Sequence, residues 1–235
     1  MDTTSPPIPR RRWIAALVAG TLAWVLAIAA AFILPQAVLG LRLQGSGHAV
    51  VGVLQLLFTV AALALVLRLV RVRWRDIGLV RQRLMRDIGI GLAVAVAFAV
   101  LQFAVIIPAT GGAARSDVVA NLEQMRGPGG VAGMAVLGAL GAFAEELYFR
   151  GMLLHGLRGA LGPGPLRTGA AVALVALLFG AVHGYQGWAG MVDTALYGGL
   201  TLSLLCLLCG GRLAAPIAAH VGWNLLALAA LAWWY

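Results

Sequence analysis

Glu145 and Glu146 stand side by side in the stretch "GAFAEELYFRG", with Arg150 close behind. Adjacent carboxylates in an apolar run have two physical explanations: they end a helix at water, or they do acid–base work away from it. The flanks decide. "VAGMAVLGALGAFA" precedes the pair and "LYFRGMLLHGL" follows it, so both glutamates fall in the middle of an apolar span. A charged side chain at the centre of a membrane helix costs about 2.5–3.5 kcal/mol, and such residues are functional candidates by default. The same criterion selects His155, His183, Asp193, and His220 with Asn224.

Helical geometry sorts these residues. Glu146 and Arg150 are four apart and share a face, with the glutamate in the favoured N-terminal position. A guanidinium pairing with Glu146 neutralises it and offsets much of its burial cost. Glu145 lies about 100° further round the helix and is left without a local partner. A carboxylate so placed suits a general base acting on water. "FGAVH" puts Phe179 and His183 on one face, and "HVGWN" does the same for His220 and Asn224. The Asn224 amide suits a developing oxyanion, as does His220, which can equally orient a water. His155, beyond the motif, is expected at the interface. Asp193 is expected to open a span after a Gly-rich turn, where a carboxylate suits a helix N-terminus. Gly198 and Gly199 are expected to let helices approach closely.

These residues need elements to hold them. The chain has 235 residues, 62% hydrophobic and 11% charged. A soluble domain carries about 25% charged residues. Apolar runs of roughly 18 residues or more recur along the whole length, so the fold class expected is all-α, a polytopic membrane bundle of about seven transmembrane helices. The net charge is +9, and all 17 basic residues are arginines. They cluster beside apolar runs, which fits topology signalling and anionic headgroups better than nucleic acid. Cys206 and Cys209, alone in an apolar run, support neither a disulfide framework nor a metal site.

Residues 1–12, "MDTTSPPIPRRR", read as a cytoplasmic N-terminal tail. Residues 13–129 hold the N-terminal membrane helices and loops, and 130–235 hold the core with the candidate site. Spans are expected at 13–34, ended by Pro35, and at 49–70, 88–108, 131–157, 168–183 and 191–209. A last span closes at "LAWWY", a fit to an interfacial aromatic belt. A short amphipathic helix is expected at 118–125, and "GYQGWAG" reads as a tight connection. Arg71, Arg73, Arg75, Arg81, Arg83 and Arg86 mark one loop as cytoplasmic, which puts the N-terminus inside and the C-terminus outside. One point fits poorly. Span 168–183 places His183 near its outer end, whereas Glu145 and His220 fall nearer the middle of theirs.

E-E-x-x-x-R (Glu145, Glu146, Arg150), then F-x-x-x-H (Phe179, His183), then H-x-x-x-N (His220, Asn224) resembles the CAAX protease and bacteriocin-processing (CPBP) family of intramembrane proteases. "FRG" after the glutamates and "HGYQG" are also similar to bacterial members, and the resemblance covers roughly residues 130–230. It implies peptide-bond hydrolysis in the membrane. Glu145 would activate water with His183 assisting, His220 and Asn224 would stabilise the oxyanion, and Glu146 and Arg150 would support them. Family members have been described both as metalloproteases and as glutamate-dependent proteases. A zinc site of His183, His220 and Glu145 is conceivable. With neither H-E-x-x-H nor soft-ligand spacing present, the metal-free glutamate mechanism is favoured and no cofactor is expected.

The partners expected are a peptide or membrane-protein substrate and the lipid bilayer; the sequence specifies no oligomeric state. The all-Arg, Ala- and Gly-rich composition points to a bacterium with a GC-rich genome, and hence to its cytoplasmic membrane. Bacteria generally lack prenylated C-a-a-X proteins, so the CAAX name does not define the reaction. Bacteriocin maturation, self-immunity and regulated cleavage of a membrane protein remain open. Two other classes compete: a non-proteolytic immunity or scaffold protein of the same fold, and a proton-coupled transporter using the same carboxylates. The transporter lacks support from any internal repeat.

Overall fold

The computed structural model describes residues 7–235. Among them, seven helices are long and apolar enough to cross a membrane: α1 (Arg10–Leu39), α2 (Gly47–Val70), α3 (Leu84–Ala109), α5 (Gly130–Leu161), α6 (Pro165–Val182), α7 (Gly184–Leu208) and α8 (Ala214–Trp234). A short helix, α4 (Ser116–Gln124), lies in the loop between α3 and α5. The described residues contain no strand. The chain is a multi-pass membrane protein with an all-α bundle.

Several boundaries differ from expectation, each for a local reason. α1 starts at Arg10, so three arginines assigned to the tail form its first turn, after Pro9. Residues 1–6 of that tail lie outside the described residues. Pro35 does not end α1; the helix runs through it and stops at Gly40, whose φ of +61° closes the last turn onto Pro35 and Gln36 carbonyls. α6 starts at Pro165, whose missing N–H costs nothing in a first turn. "GYQGWAG" makes the tight connection expected of it in one 3-10 turn, Gly184–Gln186, which closes at Gly187 (φ +77°); the α-helical part of α7 starts there, so Asp193 lies inside that helix rather than opening it.

α5 is the central element. It packs between α2 and α8, and α1 and α6 lie against its second half. α3 lies along α8, and α6 along α7. Close approach depends on missing side chains. A Cβ at Gly52 of α2 would sit 2.7 Å from the Leu137 Cα of α5, and one at Gly199 of α7 would sit 2.5 Å from the Ala176 Cα of α6. Small residues at such crossings are how membrane helices gain packing without a hydrophobic driving force. The largest apolar cluster joins Trp24, Tyr148, Phe149 and Phe179, directly beside the paired glutamates. Trp24 stacks on Tyr148 at 4.1 Å, and Phe149 meets Phe179 edge-on at 4.7 Å.

The level of His183 follows from the α5–α6 hairpin. Sixteen residues separate Glu145 from Leu161, and eighteen separate Pro165 from His183. An antiparallel pair therefore sets the two side by side, about 24–27 Å from the hairpin tip. On α8, His220 is only about 9 Å from the helix start. So the hairpin tip extends roughly 15 Å past the start of α8. Span 168–183 is shifted along the bundle axis, which removes the difficulty noted above.

Candidate active site

His183 is the single non-helical residue between α6 and α7. Its Nδ1 lies 2.7 Å from the Phe179 carbonyl oxygen. A carbonyl only accepts, so Nδ1 carries the proton and donates. That leaves Nε2 as the free nitrogen, and it lies 4.0 Å from Glu145 Oε2. His220 repeats the arrangement from α8. Its Nδ1 lies 2.8 Å from Glu146 Oε1, and its Nε2 lies 4.0 Å from the same Glu145 oxygen. Two imidazoles, each held through Nδ1, thus present Nε2 to one carboxylate oxygen. The Glu145 side chain is 20% exposed, while Glu146 is fully buried.

Glu146 is bound twice. Its Oε1 accepts from Arg150 Nη1 at 2.8 Å, the i, i+4 pair expected from the sequence, and also from His220. Arg150, itself fully buried, donates a second bond from Nη2 to the Gly199 carbonyl at 3.3 Å. Its guanidinium lies over the Phe179 ring, 4.7 Å from the centroid. The backbone makes room for these contacts. After Glu146, residues Leu147–Leu154 wind as a π-helix, and Ala195–Thr201 in α7 does the same. Such widened turns occur frequently at functional sites.

Asn224 Nδ2 donates one amide hydrogen to the Gly138 carbonyl at 2.9 Å. This seats it one turn beyond His220, against α5. His155 is half-buried, and its Nδ1 donates to the Arg150 carbonyl at 2.6 Å. It thus braces the π-helical turn. Gly198 and Gly199 lie against Phe179 and Ala176 of α6, the close approach expected of them.

Three metal-ligating side chains, Glu145, His183 and His220, converge on the site. The 4.0 Å separations from Glu145 to each imidazole exceed the roughly 3.3 Å between ligands of a tetrahedral zinc ion. Among the described residues no group of three or more His, Cys, Asp or Glu side chains is placed to hold a metal ion. The residues as arranged do not fit the group.

Asp193 lies apart from this cluster. It accepts from Gln102 Nε2 of α3 at 2.9 Å and from the Arg115 guanidinium. Arg115 also forms a two-pronged pair with Asp117, at 2.9 and 2.8 Å. The Asp117 hydrogen bonds hold the Arg115 guanidinium well above its usual range, so it stays charged. This network ties α4 to α7, next to the turn that carries His183; Ser116 Oγ donates to the Gln186 carbonyl at 3.1 Å. The sequence places Asp117 two residues from Arg115 but does not show that Asp193, 78 residues away, closes over the same guanidinium. Its side chain is 2% exposed. Arg115→Gln strands two carboxylates and is expected to cost about 3 kcal/mol, the lower end for a broken buried pair since both carboxylates keep some water contact. Denaturant unfolding in micelles measures this; a change below about 0.5 kcal/mol would contradict it.

The fold and site define a class by geometry: a seven-span membrane bundle that holds a carboxylate flanked by two oriented imidazoles. Residues 127–226 match the family model described as Rce1-like, Type II CAAX prenyl endopeptidase Rce1-like. That segment, 100 of the 235 residues, contains all six candidate residues and is similar to the CPBP family of endopeptidases. No curated protein and no solved structure matches the chain.

Proposed function

We propose that the protein is a glutamate-dependent intramembrane endopeptidase that hydrolyses a peptide bond of a membrane-associated substrate. One observation carries this reading: Glu145 Oε2 is 4.0 Å from Nε2 of both His183 and His220. A water about 2.8 Å from the carboxylate and from either nitrogen spans such a gap with an angle of roughly 90°. Glu145 takes a proton from that water, and the resulting hydroxide adds to the scissile carbonyl carbon. His183, its Nδ1–H tied to Phe179, holds the water through Nε2. The tetrahedral oxyanion is met by the second amide hydrogen of Asn224 and by His220 when Nε2 carries a proton. Glu146 facing Nδ1–H compensates the charge of that form, the role a carboxylate plays behind a catalytic imidazole. Collapse breaks the C–N bond, and the proton held by Glu145 passes to the leaving amine.

The 4.0 Å spacing also favours a metal-free site over a zinc-bound one. The arginine pattern supports a bacterial cytoplasmic membrane with the N-terminus inside, so the site lies about 9 Å along α8 from its cytoplasmic end. Purified protein incubated with a membrane-tethered peptide in ¹⁸O-labelled water is expected to release two fragments, the new carboxyl carrying one label. Intact peptide, or flux of a solute across proteoliposomes without cleavage, would point instead to the scaffold or the transporter.

A further inference from the structure

Arg11, Arg12 and Ala15 of α1 face Leu69, Val70 and Arg71 at the end of α2 across a cleft of about 430 Å³. It lies at the end of the bundle that carries the six-arginine loop, well away from Glu145. We propose that this cleft binds the phosphate headgroup of an anionic phospholipid.

Charge is the first argument. Arg73, Arg115, Arg150 and Arg212 each hold a carboxylate. Among the described residues, Arg11, Arg12 and Arg71 hold none, and no acidic side chain lines the cleft. Three arginines lining one cleft with no carboxylate among its walls leave a net positive charge that an anion would neutralise. Second, α1 begins here with no side-chain cap and no acidic residue in its first turn, so its free N–H groups add to the positive field. Third, Arg71 caps α2 with φ +57°, a conformation that favours glycine. That same residue is part of the cleft's lining. Fourth, the cleft combines charge with grease. Ala15 and Leu69 are exposed and apolar, and they adjoin the lipid-facing surfaces of α1 and α2. Free phosphate would use the arginines alone; a phospholipid uses the arginines for its headgroup and the apolar side chains for its acyl chain.

The test equilibrates the full-length protein in detergent with equal phosphatidylcholine and phosphatidylglycerol and weighs retained lipid by native mass spectrometry. Wild type is expected to retain phosphatidylglycerol preferentially. Arg11→Gln with Arg71→Gln is expected to reduce that retention about fivefold per arginine removed. Arg81→Gln with Arg83→Gln, in the exposed loop outside the cleft, is expected to leave it unchanged. An equal loss in the loop pair would overturn the proposal, because it would mean diffuse attraction. So would displacement of the lipid by millimolar inorganic phosphate, which would mark a free-anion site. Should the glutamine pair fail to fold, Ala15→Trp fills the apolar wall while keeping every arginine. It is expected to expel the lipid, and undiminished retention there would overturn the proposal.

Discussion

Glu145→Gln lowers the rate of peptide hydrolysis by about 10²–10⁴-fold, the range expected when a general base is removed, with little change in unfolding temperature. The substitution keeps size and hydrogen-bonding shape and removes only the proton-accepting charge. Stability should hold because the Glu145 side chain is 20% exposed, more than either imidazole, and no structural ion pair depends on it; its neighbours are imidazole nitrogens 4.0 Å away. His183→Ala is expected to show the same pattern less severely, since the ring orients the water but does not take its proton. The measurement is single-turnover cleavage of a membrane-tethered peptide, alongside thermal unfolding of each variant in the same micelles. Full activity in Glu145→Gln would remove the proposed mechanism. Lost activity with a collapsed fold would show that Glu145 is structural after all.

Arg150→Met acts on stability, with an expected cost of about 3–5 kcal/mol. The side chain is fully buried, and the Glu146 it serves is fully buried too. Removing the guanidinium leaves a carboxylate in a low-dielectric interior with only His220 beside it, and empties the contact over Phe179. Replacing both partners, Glu146→Gln with Arg150→Met, is expected to recover much of that loss, because no uncompensated charge remains. Lysine is not expected to rescue. Arg150 reaches Glu146, the Gly199 carbonyl and the Phe179 ring together, and a point charge on a flexible stem does not reproduce a planar fork. A double-mutant cycle in denaturant measures the coupling. Additivity within about 0.5 kcal/mol would show that the two residues do not act as a pair.

These expectations separate the two adjacent glutamates into different roles, and the separation began in the sequence. One turn of helix joins Glu146 to Arg150 and swings Glu145 elsewhere, so one half of the assignment needed only helical periodicity. The other half did not. That Glu146 also holds His220 depends on α5 and α8 crossing at one level, and residues 74 apart in the chain carry no local signal of it. Phe179 illustrates the same limit. Its spacing from His183 was visible, but its carbonyl as the acceptor that fixes the imidazole, and its ring as the seat of Arg150, were not.

The sequence by itself determined the seven spans, because a bilayer demands long apolar runs and penalises every charge inside them. For the same reason it determined which residues are candidates: in hydrocarbon, a glutamate or histidine stands out against its surroundings. Helix ends were read less well. Pro35 is a local breaker only when nothing nearby satisfies the backbone, and here α1 continues through it. Only the tertiary structure decided the level at which α6 meets α5, the acceptor behind each imidazole, and the burial of Arg115 under α4. Each of these depends on where one helix lies against another. Helix packing is set by the shapes of whole faces, glycines included, rather than by any residue and its neighbours in the chain.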